Sequence, residues 1–444
     1  MMKKELIKSI LEYSRADQTE VFYSEGDTAL TRFANNYIHQ NVAERDANVS
    51  VRVVIGKKIG TASTNKLDET SVKLVVDKAI EIAQTQPENP QFVSLPEAAS
   101  YVDIDTFVPR TAEFSPIQRA EAVKIIVDEA QKKGVVASGA YSTSANELVI
   151  ANSLGLFAEK KQTIASVNLV VTGDNGASGY SSFITRDVAD IDPKSLVVEA
   201  MEKCLKSFEP ISIEPGDYTV ILEPYAVGNL LSFLAYLGFG ALSVQEGRSF
   251  MCDKIGKQIA GENITIWDDA LNPAGLTSPF DYEGVPKEKV MLIENGIAKG
   301  VVYDSYTAGI EGIKSTGHGL PAPNSFGPIP LNMFMKEGDS SIEEMIASTQ
   351  RGVYVTRFHY TNVVEPMTTT ITGLTRDGTF LIENGKITKA VKNLRFTNSV
   401  LDALSKVSLI SKETKLVEGF GDDRVPAIKV DSFTFSGTTD EESR

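Results

Sequence analysis

A chain of 444 residues, 42% hydrophobic and 23% charged, is long enough for two or three cores and too apolar to be a disordered polymer. Its 59 acidic and 44 basic side chains leave a net charge of −15, which argues against nucleic acid or anionic membrane as partners, since both require a basic face. Two cysteines, Cys204 and Cys252, stand in no metal-type pair; they disfavour a disulfide scaffold and fit a reducing, cytoplasmic setting.

Met1-Met2-Lys3-Lys4-Glu5 leads into an amphipathic pattern with no apolar signal segment. Residues 3–15 form an expected helix with Leu6, Ile7, Ile10 and Leu11 on one face. Alternating runs at 20–23, 30–33, 37–42, 49–55 and 59–64 read as short antiparallel strands, with turns at Asn35-Asn36 and Gly56 and a closing helix over 67–83. A second block echoes the first. Ala34-Asn35-Asn36 is matched by Ala151-Asn152-Ser153, Ser50-Val51-Arg52 by Ser166-Val167-Asn168, and Leu74-Val75-Val76 by Leu196-Val197-Val198. The order and spacing imply two α/β units sharing one sheet system.

Residues 209–216 read as a linker, dividing an N-terminal α/β domain (1–212) from a C-terminal domain (213–444). From Pro224 to Gln245 no residue is charged. The flanking Glu223 and Glu246 and the interruptions at Asn229, Ser232 and Tyr236 favour a buried helix over a membrane span. Beyond it, Asn295-Gly296 and Asn384-Gly385 each separate two strand-like runs and predict type I′ hairpins. So many strands require satisfied edges, so the C-terminal domain is expected to be β-rich, antiparallel and barrel-like. The fold class is α+β.

Catalytic zinc takes about three ligands from His, Cys, Asp and Glu. The chain has three histidines, His39, His318 and His359, and no His-Glu-x-x-His. There is no Gly-x-Ser-x-Gly elbow and no phosphate-binding glycine loop. Cys252 has no basic neighbour to activate it and reads as a structural thiol. What remains is a polar, glycine-rich set: Gln245-Glu246-Gly247-Arg248, Ser315-Thr316-Gly317-His318-Gly319 and Arg357-Phe358-His359. One reading makes Glu246, Arg248, His318, Arg357 and His359 the polar groups of a groove for an extended peptide. The other makes them satisfied loop residues.

Arg32-Phe33-Ala34-Asn35-Asn36, Gly60-Thr61-Ala62-Ser63-Thr64-Asn65, Ser278-Pro279-Phe280-Asp281-Tyr282-Glu283-Gly284-Val285, Ser315-Thr316-Gly317-His318 and Phe380-Leu381-Ile382-Glu383-Asn384-Gly385 resemble the TldD/PmbA family. This family is classed with metallopeptidases and is also called modulator of DNA gyrase. The similarity runs in order from about residue 20 to Gly437. It implies an N-terminal α/β domain, a β-rich C-terminal domain and dimers. Catalytic members resembling TldD carry zinc on His-Glu-x-x-x-His plus a cysteine near the C-terminus; members resembling PmbA, or TldE, lack the motif and pair with a catalytic subunit. In this chain Pro224 and Asn229 stand at the two histidine positions and Tyr225 at the glutamate, and 415–430 contains no cysteine. The resemblance therefore implies a subunit with no metal or other cofactor. Such a subunit would be a homodimer in isolation or a heterodimer with a TldD-type zinc peptidase, and would act in peptide processing. The alternative is a peptidase in its own right, with a site relocated to His318 and His359. A gyrase effect would pass through proteolysis of another protein.

Overall fold

The computed structural model describes residues 3–438; Met1-Met2 lies outside the described residues. The first unit runs α1 (Lys3–Tyr13), β1 (Gln18–Ala34), β2 (Tyr37–Ile55), β3 (Lys58–Thr64), α2 (Glu69–Thr85), α3 (Pro109–Ala112), α4 (Pro116–Lys132), β4 (Val136–Asn152), β5 (Phe157–Thr172), β6 (Ser178–Thr185) and α5 (Pro193–Lys206). Its strands form one antiparallel sheet in the order β3-β2-β1-β4-β5-β6. The order is that of two meanders joined back to back, each with its closing helix. Val21, Val49, Val51 and Val53 pack under α1 and α2. Ala165, Val167, Leu169 and Val171 pack under α4 and α5.

Two glycines show how closely the halves correspond. A Cβ on Gly60 in β3 would collide with the Ala79 carbonyl and the Ala83 amide of α2. One on Gly179 in β6 would collide with the Ala200 carbonyl and the Cys204 amide of α5. In both halves the closing helix lies directly on the edge-strand backbone, which leaves no room for a side chain.

The short strands expected at 20–23 and 30–33 are a single strand, as are those at 37–42 and 49–55. The polar stretches between them carry no apolar alternation. They stay extended because β1 is hydrogen-bonded on both sides, to β2 and to β4, over nearly its whole length. The tertiary ladder overrides local propensity there.

The second unit runs β7 (Gly216–Leu222), α6 (Pro224–Gly238), α7 (Ala241–Gln245), β8 (Ile266–Asp268), β9 (Val290–Glu294), β10 (Ile297–Ala298), α8 (Ser305–Glu311), β11 (Met333–Met335), α9 (Ile342–Ala347), β12 (Arg351–Glu365), β13 (Thr370–Glu383), β14 (Lys386–Ala390), β15 (Leu394–Ser399), α10 (Val400–Ser405), β16 (Val407–Glu418) and β17 (Asp422–Thr438). Strands β7, β12, β13, β15 and β17 pair in a ring, β17 returning to β7, so the sheet closes as a barrel. Pairing is antiparallel except for β7–β12 and β11–β17, which are parallel. Residues 223–350 supply the long crossover that the β7–β12 pair requires. Both Asn-Gly hairpins form, with positive φ at Asn295, Gly296, Asn384 and Gly385.

Helix α6 is apolar on all sides and lies in the main core with Leu230, Leu231 and Leu234 buried. Among the described residues no helix is long and apolar enough to cross a membrane.

Candidate functional site

The N-terminus of α6 meets the first unit, and the positions flagged in the sequence stand there. Pro224 occupies the first turn and offers no donor atom. Tyr225 is buried, with its ring edge-on to Tyr180 at 5.0 Å. Its hydroxyl accepts the Ser182 amide at 3.0 Å, lies 3.2 Å from Glu199 Oε1 and takes a hydrogen bond from the Lys415 ammonium. Asn229, a turn further on, has a buried Oδ1 with no partner.

Around Tyr225 the charges are matched two to two. Lys203, one turn beyond Glu199 on α5, bridges Glu199 at 2.9 Å and Glu223 at 2.8 Å. Lys415 on β16 reaches Glu199 at 3.2 Å, and Thr356 donates to the second oxygen of Glu223 at 3.2 Å. Burial works against the Glu199 carboxylate, but the Lys203 and Lys415 ammoniums outweigh it and hold its pKa below the ordinary value. Burial, then the Glu199 charge, pushes Tyr225 well above 10, so the phenol stays protonated and cannot act as a base near neutrality.

These residues do not fit a zinc ion. Pro224 has no ligand atom, Tyr225 is a protonated phenol bound to an ammonium, and the carboxylates nearby, Glu199 and Glu223, are already paired with Lys203 and Lys415, whose charges would repel a metal cation. Among the described residues no group of three His, Cys, Asp or Glu is arranged to hold a metal.

The other flagged residues fall into three separate places. His318 is fully buried, with Nε2 2.8 Å from Asp268 Oδ1 and Nδ1 2.9 Å from the Thr316 hydroxyl. Burial, then the Lys287 charge, lowers its pKa, so the ring is neutral near pH 7. The network assigns Nε2–H as donor to Asp268. Both nitrogens are spent inside the fold, and His318 presents nothing to a groove.

Arg357 and His359 lie on β12. Arg357 Nε donates to Asp377 at 2.7 Å, and its guanidinium covers Tyr180 at 4.4 Å. His359 is half-buried beside Tyr360. Among the described residues this pair shares no hydrogen-bond, ion-pair or ring partner with His318. Glu246 and Arg248 follow α7 and pair with each other at 2.5 Å; Glu246 also lines a cleft between the two units. The Cys252 thiol makes a weak contact to the Val244 carbonyl at 3.7 Å, and both cysteines are free.

Glu199, Lys203 and Lys415 went unrecognised in the sequence. The one local signal is an opposite-charge pair at i,i+4 on α5, next to Ala200 and Cys204, which are buried. Nothing in the sequence places Lys415 beside a residue 216 positions earlier.

Family models match in three consecutive pieces: PmbA/TldA metallopeptidase domain 1 over residues 19–83, the central domain over 111–208 and the C-terminal domain over 215–437. A metalloprotease TldD homolog from Haemophilus influenzae is 25% identical over 97% of this chain and 95% of its own. Metalloprotease PmbA from Escherichia coli O157:H7 is 26% identical over 92% and 91%. The crystal structure of TldE from Thermococcus kodakarensis superposes with a TM-score of 0.90 at 25% identity, covering 98% of this chain and 99% of that one.

Proposed function

The chain belongs to the PmbA/TldD metallopeptidase family, and from that premise we propose that it is the metal-free subunit of a peptidase assembly. The observation that carries this reading is the occupation of the motif positions by Pro224, Tyr225 and Asn229, with Tyr225 hydrogen-bonded into a charge-matched network of Glu199, Glu223, Lys203 and Lys415. A family scaffold that keeps its barrel and helix but spends this position on structural ion pairs suits a partner rather than a hydrolase. Its counterpart would be a TldD-type subunit that supplies zinc and the general base; this chain would complete the dimer and help shape the space that admits peptide. In isolation it would form a homodimer. The two free cysteines accord with a reducing, cytoplasmic setting.

The test is to purify the chain alone, the TldD-type subunit alone and the two mixed. Zinc content, size and chelator-sensitive cleavage of an unfolded peptide are then measured for each. The expected result is no zinc and no cleavage for this chain, with a mixed complex that cleaves faster than the zinc subunit by itself. About one zinc per chain together with cleavage by this chain alone would sink the proposal.

A further inference from the structure

A cleft of about 620 Å³ runs between the two units, and Pro224, Tyr225 and Asn229 are not among the residues that line it. Pockets of this size at domain boundaries, apolar with a few convergent polar groups, are where small ligands bind. One wall is hydrocarbon: Ile59, Ile82 and Phe92 from the first unit, Leu242 and Leu320 from the second. The polar side of the cleft carries Arg52, Glu283 and Asp304, with Glu246 further out.

The charges there do not balance. Arg52 donates to Glu20 at 2.7 Å and stands 3.7 Å from Glu283 Oε1, beyond hydrogen-bond reach. Its Nε is buried and unpartnered. Glu20, Glu283 and Asp304 are each more than nine-tenths buried; Arg52 serves the first two, and Asp304, beside Glu283, has no ion pair among the described residues. Glu283 Oε2 accepts the Ser305 amide at 2.8 Å, and Asp304 Oδ1 accepts from Thr307 at 2.8 Å. Glu283 Oε1 and Asp304 Oδ2 accept no hydrogen bond from the described residues. Neither oxygen is a buried orphan; both residues line the cleft, where these oxygens are open to a cation that brings hydrogen-bond donors.

We propose that this cleft binds an apolar molecule carrying a primary ammonium group. The ammonium donates to Glu283 and Asp304, and the hydrocarbon lies against Ile59, Ile82, Phe92, Leu242 and Leu320. An ammonium brings both the missing charge and several donors, whereas a neutral ligand leaves the carboxylates as they are. The chemistry is shared by a simple alkylamine and by the N-terminal residue of a peptide that begins with an apolar side chain. The inference does not rest on the pairing proposed above, since every residue of the cleft belongs to this chain.

The experiment titrates the whole protein with leucine amide, N-acetyl-leucine amide and hexylamine by calorimetry at pH 7.5. Leucine amide is expected to bind at least tenfold more tightly than its acetylated form, which keeps the side chain and loses the charge. Hexylamine binding as well as leucine amide assigns the site to amines in general; a clear preference for leucine amide assigns it to peptide N-termini. Glu283→Gln is expected to weaken leucine amide by about tenfold. Val93→Lys, at a largely exposed position on the rim, leaves the fold alone and is expected to weaken binding about threefold by placing a like charge at the mouth. Equal binding of the free and acetylated amides, no binding of either amine at 10 mM (about the weakest affinity worth assigning to a site), or an unaltered affinity in both variants would overturn the proposal.

Discussion

Two charged clusters join the α/β unit to the barrel. At the start of α6, Glu199 and Glu223 are matched by Lys203 and Lys415, and Tyr225, Ser182 and Thr356 fill the remaining hydrogen-bonding positions. In the cleft, Arg52 pairs with Glu20 and stands 3.7 Å from Glu283, Asp304 has no ion pair among the described residues, and one oxygen each of Glu283 and Asp304 accepts nothing from the described residues. Both clusters are largely buried, so desolvation acts on both. The first is closed by the chain's own cations and behaves as structure; the second stays short of positive charge and has a cavity in front of it. A family motif would direct attention to the first, and charge balance directs it to the second.

Breaking the matched cluster carries the largest expected effect. Lys203→Met strands Glu223, which is 4% exposed, and removes a partner of Glu199. It is expected to cost about 3–5 kcal/mol in chemical denaturation, the range for breaking one side of a buried pair. A loss below about 1 kcal/mol would mean that the cluster is hydrated and only loosely coupled.

Tyr225→Phe is gentler. It keeps the ring against Tyr180 and leaves the buried Ser182 amide and the Lys415 ammonium without the hydroxyl. The expected loss is about 1–3 kcal/mol. An unchanged midpoint would show that water replaces the hydroxyl.

Asp422 tests the opposite condition, a carboxylate with no cation. Burial, then the Glu418 charge, pushes it up to about 7. Asp281 is likewise pushed up to about 7, by burial and then Glu283. Both stand above an unfolded value near 3.9. Between about pH 4 and 7 the native state therefore binds more protons than the unfolded state, and the stability these groups contribute falls as pH rises through that window. Asp422→Asn is expected to stabilise the protein at pH 8 by about 1–2 kcal/mol and to have little effect at pH 5. An equal effect at both pH values would remove charge as the cause. Glu25 has the reverse sign: Arg45 and then Lys3 hold it at about 2, so its contribution is present above pH 4.5 and is lost as pH falls towards 2.

The smallest effect is expected at an exposed i,i+4 pair. Lys124→Ala on α4, opposite Asp128, should change stability by less than about 0.5 kcal/mol. A larger loss would show that charge matching alone, without burial, stabilises this protein, and would weaken the contrast between the two clusters.

The parts of the fold that were legible in the sequence rest on short-range chemistry. Asn295-Gly296 and Asn384-Gly385 make hairpins because both residues adopt positive φ in two-residue turns. Leu6, Ile7 and Ile10 fall on one face of α1 because the helical period places them there. The strand echo between the two halves of the first unit was also readable, since Val51 and Val167 are both buried; the helix echo is one residue out, because Leu74 is 67% exposed and it is Val75 that takes the buried place of Leu196. The merged strands β1 and β2 were not, because their polar middles are held extended by neighbours on both sides rather than by their own alternation. At the candidate site, the loss of zinc ligands was readable while the use of the space was not. His318 could be read as a polar group of a groove or as a satisfied loop residue, and it is buried against Asp268, 50 positions earlier in the chain.

What the amino-acid sequence determined by itself is what no fold can alter: proline at position 224 has no ligand atom, and a chain with three histidines and no His-Glu-x-x-x-His does not carry its family's zinc motif. Tertiary structure alone decided which charges meet. Lys415 reaches Tyr225 and Glu199, and Arg52 meets Glu283, only because the sheet and the barrel pack together. Side-chain identity and turn chemistry act within a few residues. Ion pairing in a desolvated interface depends on distance in space, and sequence separation carries no information about it.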